Sequence, residues 1–490
     1  MRTLIVAGLA LLAGAGGMLA ADTAVFDRYF IDRTLRIDYF HTGQAKEEIA
    51  AVDRLYQQGV WAGSRVHLLD TLDLGRYRAS AYDAASGALI FSRGFDSYFG
   101  EYRTTAEAAK GCWKTYHETV LLPFPKQKIR FTLEARQEGR PAMTILQTEI
   151  DPADYTISRE PLSPGVTVIP VLAVGDPHAR VDVAILGEGY TLAEEAKFRA
   201  DLDRFAGVMF SQEPYASLRD RFNLYGVLKP SAESGCDEPS RGVYRNTALG
   251  ATFDSLGSER YLLTEEIRAL RDVAAHVPYD ALYIMVNQPR YGGGGIYNFY
   301  CTFTSDNQWQ AYLFLHEFGH SFAGLADEYY TSSTAYSEFY PPGIEPREAN
   351  ITALQDSGAL KWKDQVTAGT AVPTPWEKAA YDAQDIAYQK VRQEINDKIA
   401  RLMREGAPAS EVDALKAEAE RLSKENADSL DAFLKKSRFV GQVGAFEGAG
   451  YASTGLYRPM LDCIMFSKGH KPFCKVCQQA IRRVIAFHGE

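Results

Sequence analysis

A chain of 490 residues, 46% of them hydrophobic, has ample material for burial, and its length implies two or three domains. The formal net charge of −10 and a pI near 5.5 exclude a nucleic-acid partner, since neutralising phosphates needs clustered Lys and Arg and no basic stripe is present.

Residues 1–21 carry one positive residue, Arg2, then an apolar run through Leu12 and small residues ending at Ala20 and Ala21. This pattern predicts a cleaved signal peptide, because the apolar part is shorter than the ~20 residues a spanning helix needs. Export to a periplasm or the outside follows, without stable membrane insertion. Six cysteines suit an oxidising compartment. Cys463, Cys474 and Cys477 cluster near the C-terminus, Cys236 and Cys301 lie further upstream, and Cys112 stands apart. A disulfide is expected around Cys474-Lys-Val-Cys477, with half of a structural zinc site or a redox pair as the alternatives.

Residues 22–155 read as an N-terminal β-sandwich. Ile129, Phe131, Leu133 and Ala135 alternate with polar residues, as do Tyr77, Ala79 and Ala81 ahead of a turn at Ser86-Gly87. Residues 156–166, with Pro161 and Pro164, form the predicted linker. From residue 167 strand and helix patterns alternate: strands at 181–186, 222–228 and 281–286 and an amphipathic helix at 192–210 predict an α/β layer. Gly187-Glu-Gly189 and the Gly292 to Gly295 run lack the G-x-x-x-x-G-K-[ST] pattern that cradles phosphate, which excludes a nucleotide site. Residues 296–303 predict a further strand, whose free edge can accept a peptide as an added strand.

The stretch Tyr312-Leu-Phe-Leu-His316-Glu317-Phe-Gly-His320 follows. On a helix, residues i and i+4 share a face, so His316 and His320 can each offer a ring nitrogen to one zinc ion at about 2.0–2.1 Å. Glu317 then stands where a general base is needed to take a proton from the attacking water. Gly324 can adopt the left-handed conformation that ends a helix, letting a following residue such as Asp327 swing back towards the metal.

H-E-x-x-H, a glycine and a third ligand three residues on resemble the layout of the metzincin peptidases, with one extra residue before the glycine and an aspartate as third ligand. The string from His316 to Tyr329 more specifically resembles the bacterial IgA-protease-type family of zinc metallopeptidases. The resemblance implies an α/β (α+β) metzincin-like zinc peptidase domain over residues 167–490. It also implies His316, His320 and Asp327 as ligands of one zinc ion per chain, with Glu328 the competitor for the third place, Glu317 as base, and a protein or peptide substrate. Trp362 and Pro373-Thr-Pro-Trp376 resemble the same family.

Residues 377–436 are rich in Ala, Glu, Lys, Asp and Arg. Tyr388, Val391, Ile395, Ile399 and Leu402 form one helical stripe, and Val412, Leu415, Ala419, Leu422, Leu430 and Phe433 form a second after a break at Glu405-Gly-Ala-Pro408. An inserted helical hairpin is predicted, with Ser410 as an N-cap. Residues 444–451, 455–459 and 462–465 resemble the part of these peptidases that closes the floor of the zinc site, which places Met465 beneath the ligands as packing. Tyr457 and Arg458 are candidate donors to the oxyanion that amide hydrolysis generates. A zinc hydrolase of a non-peptide substrate and a binding protein with a relict site are the alternatives; intact His316, Glu317 and His320 argue against the second.

Overall fold

The computed structural model describes residues 26–137, 140–331 and 339–489, so the predicted signal at residues 1–21 lies outside the described residues. A short helix α1 (Phe26–Tyr29) leads into β1 (Phe30–Gly43), which pairs antiparallel with β2 (Glu48–Gln58) on one side. After β3 (Tyr77–Asp83), β4 (Leu89–Phe95) and the short helices α2 (Tyr98–Tyr102) and α3 (Ala106–Ala109), strand β5 (Lys114–Pro125) closes the other side of β1. Strands β6 (Ile129–Gln137) and β7 (Arg140–Ile150) complete a second antiparallel sheet in the order β4-β3-β6-β7. The alternating residues Phe131, Leu133 and Ala135 of β6 and Tyr77, Ala79 and Ala81 of β3 turn into one apolar core shared with Leu35, Ile37 and Tyr39 of β1. Period-two patterning places them on one face of the pleat.

Strand β8 (Thr167–Leu172) opens a six-stranded sheet that continues with β9 (Val181–Glu188), α4 (Glu195–Met209), β10 (Phe222–Leu228), α5 (Ile267–Ala274) and β11 (Ala281–Val286). The sheet is completed by β12 (Gly293–Ile296) and β13 (Tyr300–Thr304), and its order is β12-β13-β11-β9-β10-β8. Neighbours β10, β9, β11 and β13 run parallel, whereas β8 and β12 are antiparallel at the two edges. Every residue of β9 and β11 is buried, as expected for parallel strands covered on both faces. Ala184, Leu186, Ile284 and Val286 face the core of the N-terminal sheets. Val183, Ile185, Tyr283 and Met285 face the opposite way, onto α4, α6 (Gln310–Ala323) and α9 (Lys475–His488).

The strand expected at residues 296–303 is a hairpin instead. Asn298 takes a positive φ of 52°, the chain reverses, and β13 becomes interior while the glycine strand β12 takes the sheet edge. Two long helices, α7 (Lys378–Arg404) and α8 (Ala409–Leu434), pack against each other. The N-cap of α8 is Pro408 rather than the expected Ser410, which lies inside the first turn; the fixed φ of proline suits a chain entering a helix. A two-stranded ribbon, β14 (Val443–Ala449) and β15 (Ala452–Met460), precedes α9. Among the described residues no helix is long and apolar enough to cross a membrane.

Candidate active site

Helix α6 carries an almost wholly buried sequence, since Tyr312, Leu313, Phe314 and Leu315 pack into the core before the histidines are reached. It stops at Gly324, whose φ of 57° and ψ of 35° lie in the left-handed region that only glycine enters at little cost. Gly324 N donates to His320 O at 3.0 Å and Leu325 N to Gly319 O at 3.1 Å, which turns the chain back beneath the helix.

That turn brings Asp327 onto the imidazoles. His316 Nε2 and His320 Nε2 lie 3.2 Å apart, and Asp327 Oδ1 is 3.1 Å from the first and 3.2 Å from the second. His316 Nδ1 donates to Ile464 O at 3.1 Å and His320 Nδ1 to Leu325 O at 2.6 Å. A carbonyl can only accept, so each Nδ1 carries a proton, and in the neutral imidazoles both Nε2 atoms present lone pairs. Asp327 Oδ1 is buried with no hydrogen-bond partner. Three acceptors converging in a buried pocket repel one another unless a cation sits between them. Donors about 2.0–2.1 Å from a tetrahedral ion are about 3.3–3.4 Å apart, so the spacing fits one small divalent metal. Glu328 points the other way, accepting from Asn350 Nδ2 at 3.0 Å and from Cys477 Sγ at 3.3 Å.

A proton competes with a metal for this place. Burial penalises charge on His320, yet the Asp327 carboxylate beside it raises the imidazole to about 9. Burial likewise opposes ionisation of Asp327, but the two histidines hold it well below the usual carboxylate range. Burial raises Glu317, and the neighbouring histidines only partly offset this. A carboxyl whose proton affinity is increased is a better base than an ordinary surface glutamate.

These groups open into a cleft of about 820 Å³ lined also by Gly293, Gly294, Gly295, Tyr329 and Tyr451. The glycines are where α6 and the edge strand meet. A Cβ on Gly293 would stand 2.8 Å from Glu317 Oε1, and one on Gly295 would stand 2.5 Å from Glu317 O and 2.8 Å from His320 Cβ. Arg76, Arg103 and Arg136 of the N-terminal region also line the cleft. Met465 is fully buried, and its Sδ would lie 2.9 Å from a Cβ at Gly319 on α6, so it packs against the helix that carries the histidines.

Tyr457 and Arg458 are not brought to the cleft. Tyr457 is held by Thr352, with Thr352 N to Tyr457 O at 3.0 Å and Tyr457 N to Thr352 O at 2.9 Å. Arg458 is fully buried, donates to Gly448 O at 2.7 Å and Leu461 O at 3.2 Å, and lies 3.8 Å from the Phe466 ring centroid. Its guanidinium is committed to the interior. The hydroxyls that do reach the site belong to Tyr451 and Tyr329, which sequence reasoning passed over. Tyr451, at a φ of 64°, donates to Asp327 Oδ2. The ring of Tyr329 stacks on His316 with centroids 6.2 Å apart, and its hydroxyl accepts from Arg260 Nη2 at 2.9 Å. The only signal for Tyr451 was the glycine-rich run before it, which marks a tight turn.

The cysteine expectation also changes. None of the six thiols is in a disulfide; Cys463 Sγ and Cys477 Sγ are 3.9 Å apart, far beyond the roughly 2.05 Å of an S–S bond.

A helix-borne histidine pair, a carboxylate returned by a glycine turn and a buried glutamate beside a cleft define a metal-dependent hydrolase. Residues 169–485 match the family model described as IgA Peptidase M64, and residues 25–147 match that described as Peptidase M64 N-terminus. The chain belongs to the IgA-peptidase-type M64 family and is a metallopeptidase, an enzyme that hydrolyses peptide bonds. No curated protein matches the chain.

Proposed function

We propose that the chain is a zinc metalloendopeptidase that works outside the cytoplasm, with a metzincin-like catalytic domain at residues 167–490, an N-terminal accessory domain at residues 22–155 and an inserted hairpin at residues 377–436. The observation that carries this is the convergence of His316 Nε2, His320 Nε2 and Asp327 Oδ1 within 3.2 Å of one another, beside Glu317 in an open cleft. An imidazole pair with one carboxylate suits zinc, which, when bound, supplies Lewis acidity to water and to the scissile carbonyl.

Glu317 takes the proton from the attacking water and returns it to the leaving amine. Tyr451 fixes Asp327, and the carbonyls of Ile464 and Leu325 fix the tautomers of His316 and His320. Tyr329, its hydroxyl oxygen already occupied by Arg260, can direct its own proton at the oxyanion. A substrate chain lies along the β12 edge at Gly294 and Gly295, beyond Gly293, whose N and O are already bonded to Arg260 O and Leu262 N. Arg76, Arg103 and Arg136 of the N-terminal region line the same cleft and therefore help to select the substrate. Nothing in the cleft singles out immunoglobulin A.

The test is metal content with casein or peptide-library cleavage, for the native protein beside Glu317→Ala. Bound zinc in both and a loss of cleavage of about 10²–10⁴-fold in the variant is the expected result. Zinc-free protein, or unchanged cleavage by Glu317→Ala, overturns the assignment. Cleavage of esters or glycans and not amides would favour the non-peptide reading.

A further inference from the structure

A second group of ligand-type side chains converges behind the catalytic pocket and lines no part of the cleft. Glu328, Cys463, Cys474 and Cys477 are all buried, and each can offer one ligand atom such that these atoms lie within 4.8 Å of one another. We propose that they form a second metal site, structural and separate from the catalytic one, for a borderline-soft divalent cation, zinc before others.

Three observations support it. The 3.9 Å between Cys463 Sγ and Cys477 Sγ is too long for a disulfide, but it matches the separation of about 3.8 Å between thiolates that each bind one tetrahedral zinc at about 2.3 Å. The sulfurs are met by backbone donors: Cys474 N to Cys463 Sγ at 3.2 Å, Met465 N to Cys463 Sγ at 3.5 Å and Cys477 N to Cys474 Sγ at 3.4 Å. Such donors stabilise thiolates, and Cys474 is itself the N-cap of α9, where the helix dipole favours negative charge. Lastly, Glu328 is fully buried and its Oε2 has no hydrogen-bond partner. A buried carboxylate is tolerated when paired or when it coordinates a metal.

The alternatives fit less well. A redox pair needs an accessible thiol, whereas Cys474 and Cys477 are 4% and 0% exposed. A disulfide would have to draw Cys463 Sγ and Cys477 Sγ together from 3.9 Å and would still leave Glu328 Oε2 without a partner.

The position explains what an ion would do there. Glu328 follows Asp327, Cys463 precedes Ile464, whose carbonyl holds His316, and Cys474 and Cys477 begin α9. One ion would tie the third-ligand loop, the floor under α6 and the C-terminal helix together. Four protein ligands leave no open position, the mark of a structural site. The chain would then hold two metal ions rather than the one implied by the catalytic motif.

The test uses the full chain purified without chelator and loaded with cobalt. Thiolate-to-cobalt charge-transfer absorption in the near ultraviolet is expected in the native protein; histidine and carboxylate ligands do not give it. The band should persist in His316→Ala/His320→Ala, which removes the catalytic pair, and vanish in Cys474→Ser/Cys477→Ser. Should the cysteine variant fail to fold, metal content and the native spectrum decide: about two equivalents with the band support the site. One equivalent without the band, or a mass gain on reduction that assigns a disulfide among Cys463, Cys474 and Cys477, overturns it. Because the histidine and cysteine variants report different ions, failure of this site is distinct from failure of the peptidase reading.

Discussion

Tyr451 shows how much of the site rests on a side chain that contributes no metal-facing atom. It sits in the turn between β14 and β15, where Gly450 N donates to Asp327 O at 2.9 Å and Tyr451 N to Tyr329 O at 3.1 Å, and its hydroxyl completes the grip on the Asp327 carboxylate. Outer partners of metal ligands typically contribute 10- to 100-fold in affinity. Tyr451→Phe should therefore weaken metal binding by about that factor in a chelator competition, while kcat at saturating metal changes little. Tyr329 and Tyr457 separate cleanly in the same way. Loss of one oxyanion donor costs about 10²–10³ in kcat, so Tyr329→Phe should show such a loss, whereas Tyr457→Phe, bound to Thr352 outside the cleft, should change kcat by less than about threefold. A large effect at Tyr457 with none at Tyr329 would return the role to the residue first suggested by sequence. His316, Glu317 and His320 were legible because helical periodicity makes i and i+4 neighbours without knowledge of the fold. Tyr451 lies 124 residues from Asp327, and no local pattern announces a contact of that range.

At the level of elements, the sheet edge is set by what β12 lacks. Gly293 and Gly295 let the strand lie against α6 so closely that added methyl groups would meet Glu317 and His320 atoms, while one at Gly294, on the other face, would meet Tyr261 and Leu263. Gly295→Ala should cost about 1–3 kcal/mol through overpacking, seen as a lower melting temperature. It should also reduce cleavage, because the strain falls on the backbone of Glu317, the base, and on His320. Unchanged stability and activity would mean that the strand and helix separate freely. The same glycines explain why the edge was misread: β-propensity points to the aromatic run at residues 296–303, while the glycine run resembles a loop. Tertiary packing against α6 is what makes it a strand. By contrast β9, β10 and β11 were readable from continuous apolar runs, and the two long helices from their stripes. The three C-terminal thiols were legible as a cluster but not as an unbridged one, since sequence spacing does not fix sulfur separations.

For the whole molecule, the notable feature is that the core crosses the boundary between the two family models. Ala184, Leu186, Ile284 and Val286 on one face of the six-stranded sheet belong to the same apolar cluster as β1, β3, β5 and β6. Helix α5 lies at that junction, and Arg36 of β1, buried beside Asp38 at 2.7 Å, also reaches Asp272 of α5 at 2.5 Å. Apart from Asp182 and Glu188 at the ends of β9, these buried strands read as apolar, so sequence reveals that both faces are covered but not by what. A sheet stripped of one layer exposes a continuous apolar face, which favours association over folding. Residues 167–490 expressed alone should therefore aggregate or melt without cooperativity, and the full chain should unfold in a single calorimetric transition with the calorimetric and van't Hoff enthalpies equal. Two resolved transitions, together with a soluble and active fragment, would show that the N-terminal sheets are a detachable accessory. A single transition would instead make the accessory and catalytic domains one cooperative unit, consistent with Arg76, Arg103 and Arg136 lining the same cleft as the ligand residues.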